Sequence, residues 1–424
     1  MFSDLAQATR NMTTARTAVD LFSGAGGFSL GLEDAGYRVL LANDIDPASA
    51  HTYRRNFPGH AFVHDDIRGV SGAQIMKAAG LRRGDLDLLA GGPPCQGFSI
   101  IGSRLVFDPR NDLFREYLRI GDELQPRCMV MENVPGLATI ADGQVLRHVF
   151  EGFKAIGYSV RFAELLAAQY GVPQMRWRMV FVAFRQDLGV SPRMGFPKPT
   201  HGRRGIGELV PNCAISAEDM RGFLTTREAI GDLPAVRAGE DVGGYSGKPS
   251  CTYQREMRGG AERRAVHNHY APKLSEQNLA RIQALKAGQD WRDLPRDLLP
   301  EGMKRAKLKD HTRRYSRMTW EGVPRSIITR FRDPKSGEYT HPEQQRTISI
   351  REAARIQSFP DRFIFDGSHS EQYDQVGNAV PPILARKIGA ETLACLSGEA
   401  TYCLHNPFSR RRGLLQTSLA LYAS

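Results

Sequence analysis

Residues 91–99 read Gly-Gly-Pro-Pro-Cys-Gln-Gly-Phe-Ser. Proline fixes φ and removes a backbone donor, while glycine permits close approach of another backbone or a ligand. The combination makes a stiff, open turn. The apolar run just upstream, within 85–92, suits a buried strand, so Cys95 sits on a rigid loop at a strand's end. A thiol placed there has two readings. Free cysteine is most often a small, inert packing residue. As a thiolate it is a strong nucleophile, and cationic neighbours lower its pKa.

A second set of residues suits a ligand. "DLFSGAGGFSLG" (20–31) lies where a first strand turns into a first helix, with Gly24, Gly26 and Gly27 at the turn. In folds of this kind the ligand sits at the carboxyl ends of strands, and an acid about 20 residues on accepts from ribose hydroxyls. Asp44 lies 17 residues after Gly27, and Asp66 closes the next apolar segment. The set fits an adenosine-containing cofactor. It lacks the G-x-G-x-x-G spacing of dinucleotide enzymes and the G-K-[ST] of a phosphate loop. The plain alternative is a structural glycine turn.

These residues need a scaffold, and the first part of the chain supplies one. Strand-like runs at 17–23, 37–44, 61–67, 85–92, 127–134 and 179–184 are interleaved with helical segments, among them 28–36 and 48–57. Such alternation predicts an α/β fold, a doubly wound, mostly parallel sheet with helices on both faces. Arg176 and Arg178 alternate, which puts both side chains on one face of a strand.

The pattern breaks after about residue 186. The stretch 186–345 is irregular and carries a net charge of +8, from 28 Lys and Arg against 20 Asp and Glu. It contains a capping box at Thr225 and Glu228, a helical run at 275–288 and a strand-like run at 325–331. A second capping box, Ser349 with Glu352, opens a helix that Pro360 stops. The segment 304–317 holds seven basic residues and one acid. It reads either as a solvated helix face or as a phosphate-binding cluster.

The whole chain of 424 residues is 41% hydrophobic and carries a net charge of +11, a globular composition compatible with a polyanionic partner. The six cysteines show no zinc-ligand or redox-pair spacing, so no metal site is expected and a reducing cytoplasm is the default. No apolar run is long enough to span a membrane, and the first residues lack the apolar core of a signal peptide.

Taken in order, these segments resemble the cytosine-C5 DNA methyltransferase family. "DLFSGAGGFSLGLEDAG", "ANDIDPASAHTYRRNF" and "HDDI" look like its cofactor motifs. "GGPPCQGFSIIGS" looks like its catalytic loop, "MENVPGL" like the motif with its catalytic glutamate, and "QYGVPQMRWRMVFVA" like its two-arginine segment. "RTISIREAARIQSFPDRFIF" and "QVGNAVPPILARKIG" look like its last two blocks. The resemblance covers residues 17–185 and 346–395, and 186–345 fills the family's variable target-recognition slot.

It implies a Rossmann-like S-adenosylmethionine-dependent fold with a smaller, irregular recognition domain inserted late. The expected divisions are an N-terminal extension (1–16), a catalytic and cofactor domain (17–185), a recognition domain (186–345), a return to the catalytic domain (346–395) and a tail (396–424). It further implies that Cys95 adds to cytosine carbon 6. That addition breaks aromaticity and makes carbon 5 reactive, which is covalent catalysis. Glu132 would engage the ring nitrogen and amine, where a raised pKa would help. Arg176 and Arg178 would meet the substrate.

The S-adenosylmethionine pocket would use Phe22, Gly24, Gly26, Gly27, Asp44, Ile45, Asp66, Ile67, Pro93, Leu113, Asn378 and Val380. Ile45 departs from the family, which often has an aromatic residue there. DNA contacts would come from Gln96, Ser99 and Arg104, and from Lys304, Arg305, Lys307, Arg313, Arg314 and Arg317. The target base must leave the stack, and the segment 99–112 is expected to close over it.

The implied partner is double-stranded DNA, with a separate cognate restriction endonuclease and a monomeric state as further expectations. Two alternatives weigh against this reading: a transfer-RNA methyltransferase of the same family, and a DNA-binding regulator without catalysis. The long basic insertion and the Cys-Gln-Gly continuation argue against the first. The full set of expected catalytic residues argues against the second. An amino-methyltransferase is disfavoured because "GPPC" places cysteine where an aromatic residue is needed.

Overall fold

The computed structural model describes residues 15–94, 99–101, 104–106, 112–137, 144–189, 196–202, 220–245, 247–259, 265–307 and 313–399. Seven strands form one sheet: β1 (Thr17–Leu21), β2 (Arg38–Asp44), β3 (Ala61–His64), β4 (Leu88–Gly91), β5 (Cys128–Asn133), β6 (Tyr158–Leu166) and β7 (Trp177–Arg185). Their order is β3-β2-β1-β4-β5-β7-β6. The pairs from β3 across to β5 are parallel, and β7 runs antiparallel to both of its neighbours. This is the expected doubly wound sheet. Strand β6, which the sequence did not suggest, forms one edge.

Successive strand residues face opposite sides, and each side has its own core. Val19, Leu21, Leu89, Met129, Met131 and Phe181 pack against α3 (Gly72–Ala79), α4 (Asp112–Leu124) and α5 (Gln144–Ala155). Ala18, Leu88, Ala90, Val130 and Val182 pack with α1 (Gly27–Ala35) and α2 (Pro47–Asn56). The second core continues through α6 (Thr226–Ile230), α7 (Thr252–Arg258), α9 (Ile350–Ile356), α10 (His369–Asn378) and α11 (Pro382–Ser397). A short helix, α8 (Glu276–Gln283), lies between α7 and α9 in the chain. Among the described residues no helix is long and apolar enough to cross a membrane.

Helix α1 ends at Gly36, whose φ of 107° suits the left-handed cap that glycine favours. The return of the chain to the sheet depends on small residues. A Cβ on Gly31 would lie 2.3 Å from the Pro382 carbonyl, so α1 and α11 cross in direct contact.

A network of buried ion pairs joins the two sides of the division at 345/346. Arg355 binds Asp361 through two 2.6 Å contacts and Asp232 at 3.0 Å, and Arg258 meets Asp232 at 2.7 Å. Arg346 pairs with Glu352 at 2.6 and 2.7 Å. These charges are buried, and each guanidinium is compensated by carboxylates, as buried ions require. Residues 346–361 therefore pack with α6 and α7. The run 325–331 is not a strand; Arg325 makes a single bridge to Met175.

Two histidines in this network make its stability pH-dependent. His341 is buried, accepts from the backbone N–H groups of Glu343 and Gln344 through Nδ1, and is pushed down to about 4 by desolvation. Burial likewise lowers His269. Both are neutral when folded at a pH where the unfolded chain, titrating near 6.5, is already protonated. Stability is therefore expected to be full above that pH and to fall as pH drops from 6.5 towards 4. Urea midpoints across this window test it. His341→Gln should flatten the fall, and a midpoint slope equal to wild type would contradict the assignment.

Candidate active site

The turn from β1 into α1 is made in left-handed backbone: Phe22, Gly24 and Gly26 have φ of 56°, 52° and 101°. Such a φ is uncommon for a non-glycine residue like Phe22. A Cβ on Gly26 would strike the Phe57 ring at 2.5 Å, and one on Gly27 would lie 2.3 Å from the Val380 carbonyl. At Gly24 a Cβ would meet nothing within 4 Å, so this side of the turn is open. The Gly24 N–H donates to Asp44 Oδ2 at 2.7 Å, and Asp46 N–H donates to Oδ1 at 2.9 Å. Burial pushes the Asp44 carboxyl up, and these two bonds oppose it.

Of the other residues expected at the cofactor, Phe22 lies in this turn, Val380 touches it and Ile45 follows its partner Asp44. Ile45 is 61% exposed beside Asp44. Pro93 follows β4, and its carbonyl accepts from Asn133 Nδ2 at 3.0 Å. Phe22 and Leu113 pack on the same core, and Ile67 is buried in it. Val380 touches the turn at Gly27, and Asn378 is exposed at the end of α10. Asp66 is engaged otherwise: Arg68 grips it with Nη2 at 2.5 Å and Nε at 3.0 Å, which holds its carboxyl below the usual range.

Two residues here escaped the sequence reading. Ser23 Oγ is buried without a hydrogen-bond partner among the described residues. Asp20 lies beneath the turn, accepts from Ser29 N–H and Oγ–H, and is pushed up to about 7 by burial. An acid inside an otherwise apolar strand was the signal for Asp20.

A charged pair lies where β4 and β5 end side by side. Glu132 and Arg178 meet at 2.5 Å (Oε1 to Nε), with side chains only 11% and 12% exposed. Arg178 also donates to the Trp177 carbonyl. The other carboxylate oxygen, Oε2, lies on the Gly92 side, 3.4 Å from where a Cβ on that glycine would be. Gly92 begins the loop that runs on to Cys95, and Cys95 itself lies outside the described residues. Arg176 does not share this role. It is buried, with its guanidinium bonded to Ser326 Oγ and to the carbonyls of Ile327, Gly377 and Ala379. Its terminal nitrogens support neighbouring backbone, and only its Nε is without a partner among the described residues.

The expected DNA contacts separate in the same way. Gln96 lies outside the described residues. Ser99 and Arg104 sit on a short antiparallel pair, Ser99–Ile101 with Arg104–Val106. Arg305 and Lys307 are exposed and Arg314 is half-buried. Lys304 pairs with Glu301, and Arg313 with Glu338. Arg317 is excluded as a phosphate contact. It is 3% exposed, and its guanidinium is bonded to the carbonyls of Ile282, Leu285 and His341.

The sequence profile described as C-5 cytosine-specific DNA methylase matches residues 16–394. The chain is 36% identical over 387 residues to the type II methyltransferase M1.HphI of Haemophilus parahaemolyticus, covering 90% of this chain and 88% of that protein. It is 33% identical to the type II methyltransferase M.AgeI of Thalassovita gelatinovora, covering 88% and 98%. A candidate DNA modification methyltransferase encoded within an E. coli prophage superposes with a TM-score of 0.67 at 25% identity, covering 91% of this chain and 100% of that one. DNMT2 of Spodoptera frugiperda, 17% identical, shares the fold with a TM-score of 0.54 over 90% of this chain and 100% of that one.

Proposed function

The chain belongs to the C-5 cytosine-specific DNA methylase family, and we propose from its strand-end geometry which of its residues carry the reaction. It is a DNA cytosine-5 methyltransferase with S-adenosylmethionine as methyl donor. When bound, S-adenosylmethionine supplies an electrophilic methyl group on a sulfonium.

The residues present suit that molecule. Asp44 offers carboxylate oxygens for a ribose diol, exposed Ile45 offers an apolar face for adenine, and the open turn at Gly24 lets a ligand approach the backbone. The unpartnered Ser23 hydroxyl is a further polar group for it. Asp44→Ala is expected to weaken binding of S-adenosylhomocysteine by about 10- to 100-fold, the worth of a hydrogen bond to a charged group. Calorimetry on the folded variant measures this, and unchanged affinity would contradict the assignment.

On the base side, Cys95 adds its sulfur to carbon 6 of a cytosine turned out of the duplex. The electron pair of the 5,6 double bond moves towards ring nitrogen 3, where Glu132 supplies a proton. Arg178 fixes Oε1 of that carboxyl and leaves Oε2 on the loop side. Carbon 5 becomes nucleophilic. Once it carries the methyl, its proton passes to water, the Cys95 thiolate is expelled as the 5,6 double bond re-forms, and ring nitrogen 3 returns its proton to Glu132.

The observation that carries this reading is the Glu132–Arg178 pair beside the start of the Cys95 loop. The basic stretch before residue 346 reads the target sequence, its exposed cations holding phosphates. A separate endonuclease of the same specificity and a monomeric enzyme complete the proposal. Bisulfite sequencing of a plasmid from cells expressing the chain tests it: protected cytosines should recur in one sequence context. Protection absent, or scattered without context, would contradict it.

A further inference from the structure

We propose that Gln174, Gln357 and Arg176 form a latch that transmits the state of the cofactor-side loop 378–380 to the segment Ser326–Thr329; this rests on the reading that Asn378 and Val380 line the cofactor pocket.

The last carbonyls of a helix lack intrahelical partners. At the end of α10 they are taken by side chains distant in sequence. Gln357 Nε2 donates to the Val376 carbonyl at 2.7 Å, and Arg176 Nη2 donates to those of Gly377 and Ala379, both at 3.2 Å. The guanidinium also suits the negative end of the helix dipole.

The same side chains reach the other way. Gln174 Nε2 donates to Gln357 Oε1 at 2.6 Å, and Gln174 Oε1 accepts from the Ile327 N–H at 2.9 Å. Arg176 Nη1 donates to the Ile327 carbonyl and to Ser326 Oγ. The Ile327 carbonyl is thus held by Arg176, which caps α10, and its N–H by Gln174, which holds the other capping residue, Gln357. Gln174 and Gln357 are 0% exposed and Arg176 is 2% exposed. In such surroundings a lost member strands its partners without water to replace it.

The two ends of the latch are placed for transmission. On one side the Val380 carbonyl rests against the turn at Gly27. On the other, a Cβ on Gly377 would lie 2.3 Å from the Thr329 nitrogen, so the end of α10 touches this segment directly. Ile328, between the anchored residues, is 41% exposed. A ligand that fixes Asn378 and Val380 fixes the carbonyls beside them, and through the latch it fixes Ile327. The three residues are positioning residues, since none reaches a reacting atom.

Amide hydrogen exchange with S-adenosylhomocysteine as the probe tests the latch. In the wild-type protein, saturating ligand should slow exchange in the 325–331 segment on the order of tenfold, a typical coupling factor. In Gln357→Met, which keeps length but cannot donate, the ligand-dependent ratio should fall below about twofold while binding persists. A merely structural role would lower the melting temperature and leave this ratio unchanged. An unchanged ratio in the folded variant, or no ligand-dependent protection in wild type, overturns the proposal. If Gln357→Met does not fold, Ser326→Ala decides: it removes one acceptor of Arg176 and should reduce the ratio, and an unaltered ratio overturns the latch. Calorimetry with Asn378→Ala tests the pocket reading separately: undiminished affinity there counts against the pocket and leaves the exchange result to judge the latch.

Discussion

Glu132→Gln is expected to lower the single-turnover methyl-transfer rate by about 10²- to 10⁴-fold, the usual worth of a positioned general acid. The substitution is nearly isosteric, and the amide oxygen still accepts from Arg178. What it removes is the exchangeable carboxyl proton, so negative charge gathering on ring nitrogen 3 after sulfur addition goes unneutralised. DNA and cofactor affinities should change little, because the loss falls on the transition state. Arg178→Ala acts through the same group. It leaves a largely buried carboxylate without its cation, so it should reduce the rate and also destabilise the ends of β5 and β7. Tritiated methyl transfer to a duplex carrying the bisulfite-identified site measures both. A Glu132→Gln rate near wild type would remove the glutamate from the chemistry.

A larger loss is expected at Cys95. Without the sulfur, carbon 5 stays part of an aromatic ring and the covalent route is closed, so Cys95→Ala should lose about 10⁴-fold or more in rate. Binding should survive, since a single small side chain contributes little to a phosphate-dominated interface. Gel shifts at several salt concentrations should therefore give the wild-type slope alongside absent turnover. Residual turnover near wild type would contradict the assignment.

The catalytic sheet was legible because its central strands are buried on both faces. Runs such as 88–90 and 128–131 are apolar without interruption, 18–21 is broken only by Asp20, and glycines after the first and fourth strands mark the turns. Strand β6 was not legible. Ser159, Arg161 and Glu164 interrupt it, as an edge strand with one open side allows. The capping boxes at Thr225 and Ser349 could be read because both partners lie within one turn. The run 325–331 misled for the opposite reason. Its β-branched residues suit a strand, but the N–H and C=O of Ile327 go to the side chains of Gln174 and Arg176 instead of a neighbouring strand.

Site residues divided along similar lines. Types and spacing pointed to Asp44 and the glycine turn, because each ends or follows a strand, whereas Glu132 was singled out only through the family resemblance. Charge alone could not separate Arg178, which meets Glu132, from Arg176, which caps a helix. Nor could it separate the exposed Arg305 from Arg317, whose carbonyl partners include one 35 residues away at Ile282. Burial depends on contacts that sequence distance conceals.

The most direct test of the account uses a duplex with 5-fluorocytosine at the target position. Fluorine at carbon 5 cannot leave as a proton does, so the enzyme stays joined to the base after methyl transfer. Wild-type protein with S-adenosylmethionine should give a denaturation-resistant complex whose modified peptide contains Cys95. Cys95→Ala should give none. Absence of the complex from active wild-type enzyme, or a crosslink on a different residue, would contradict the account.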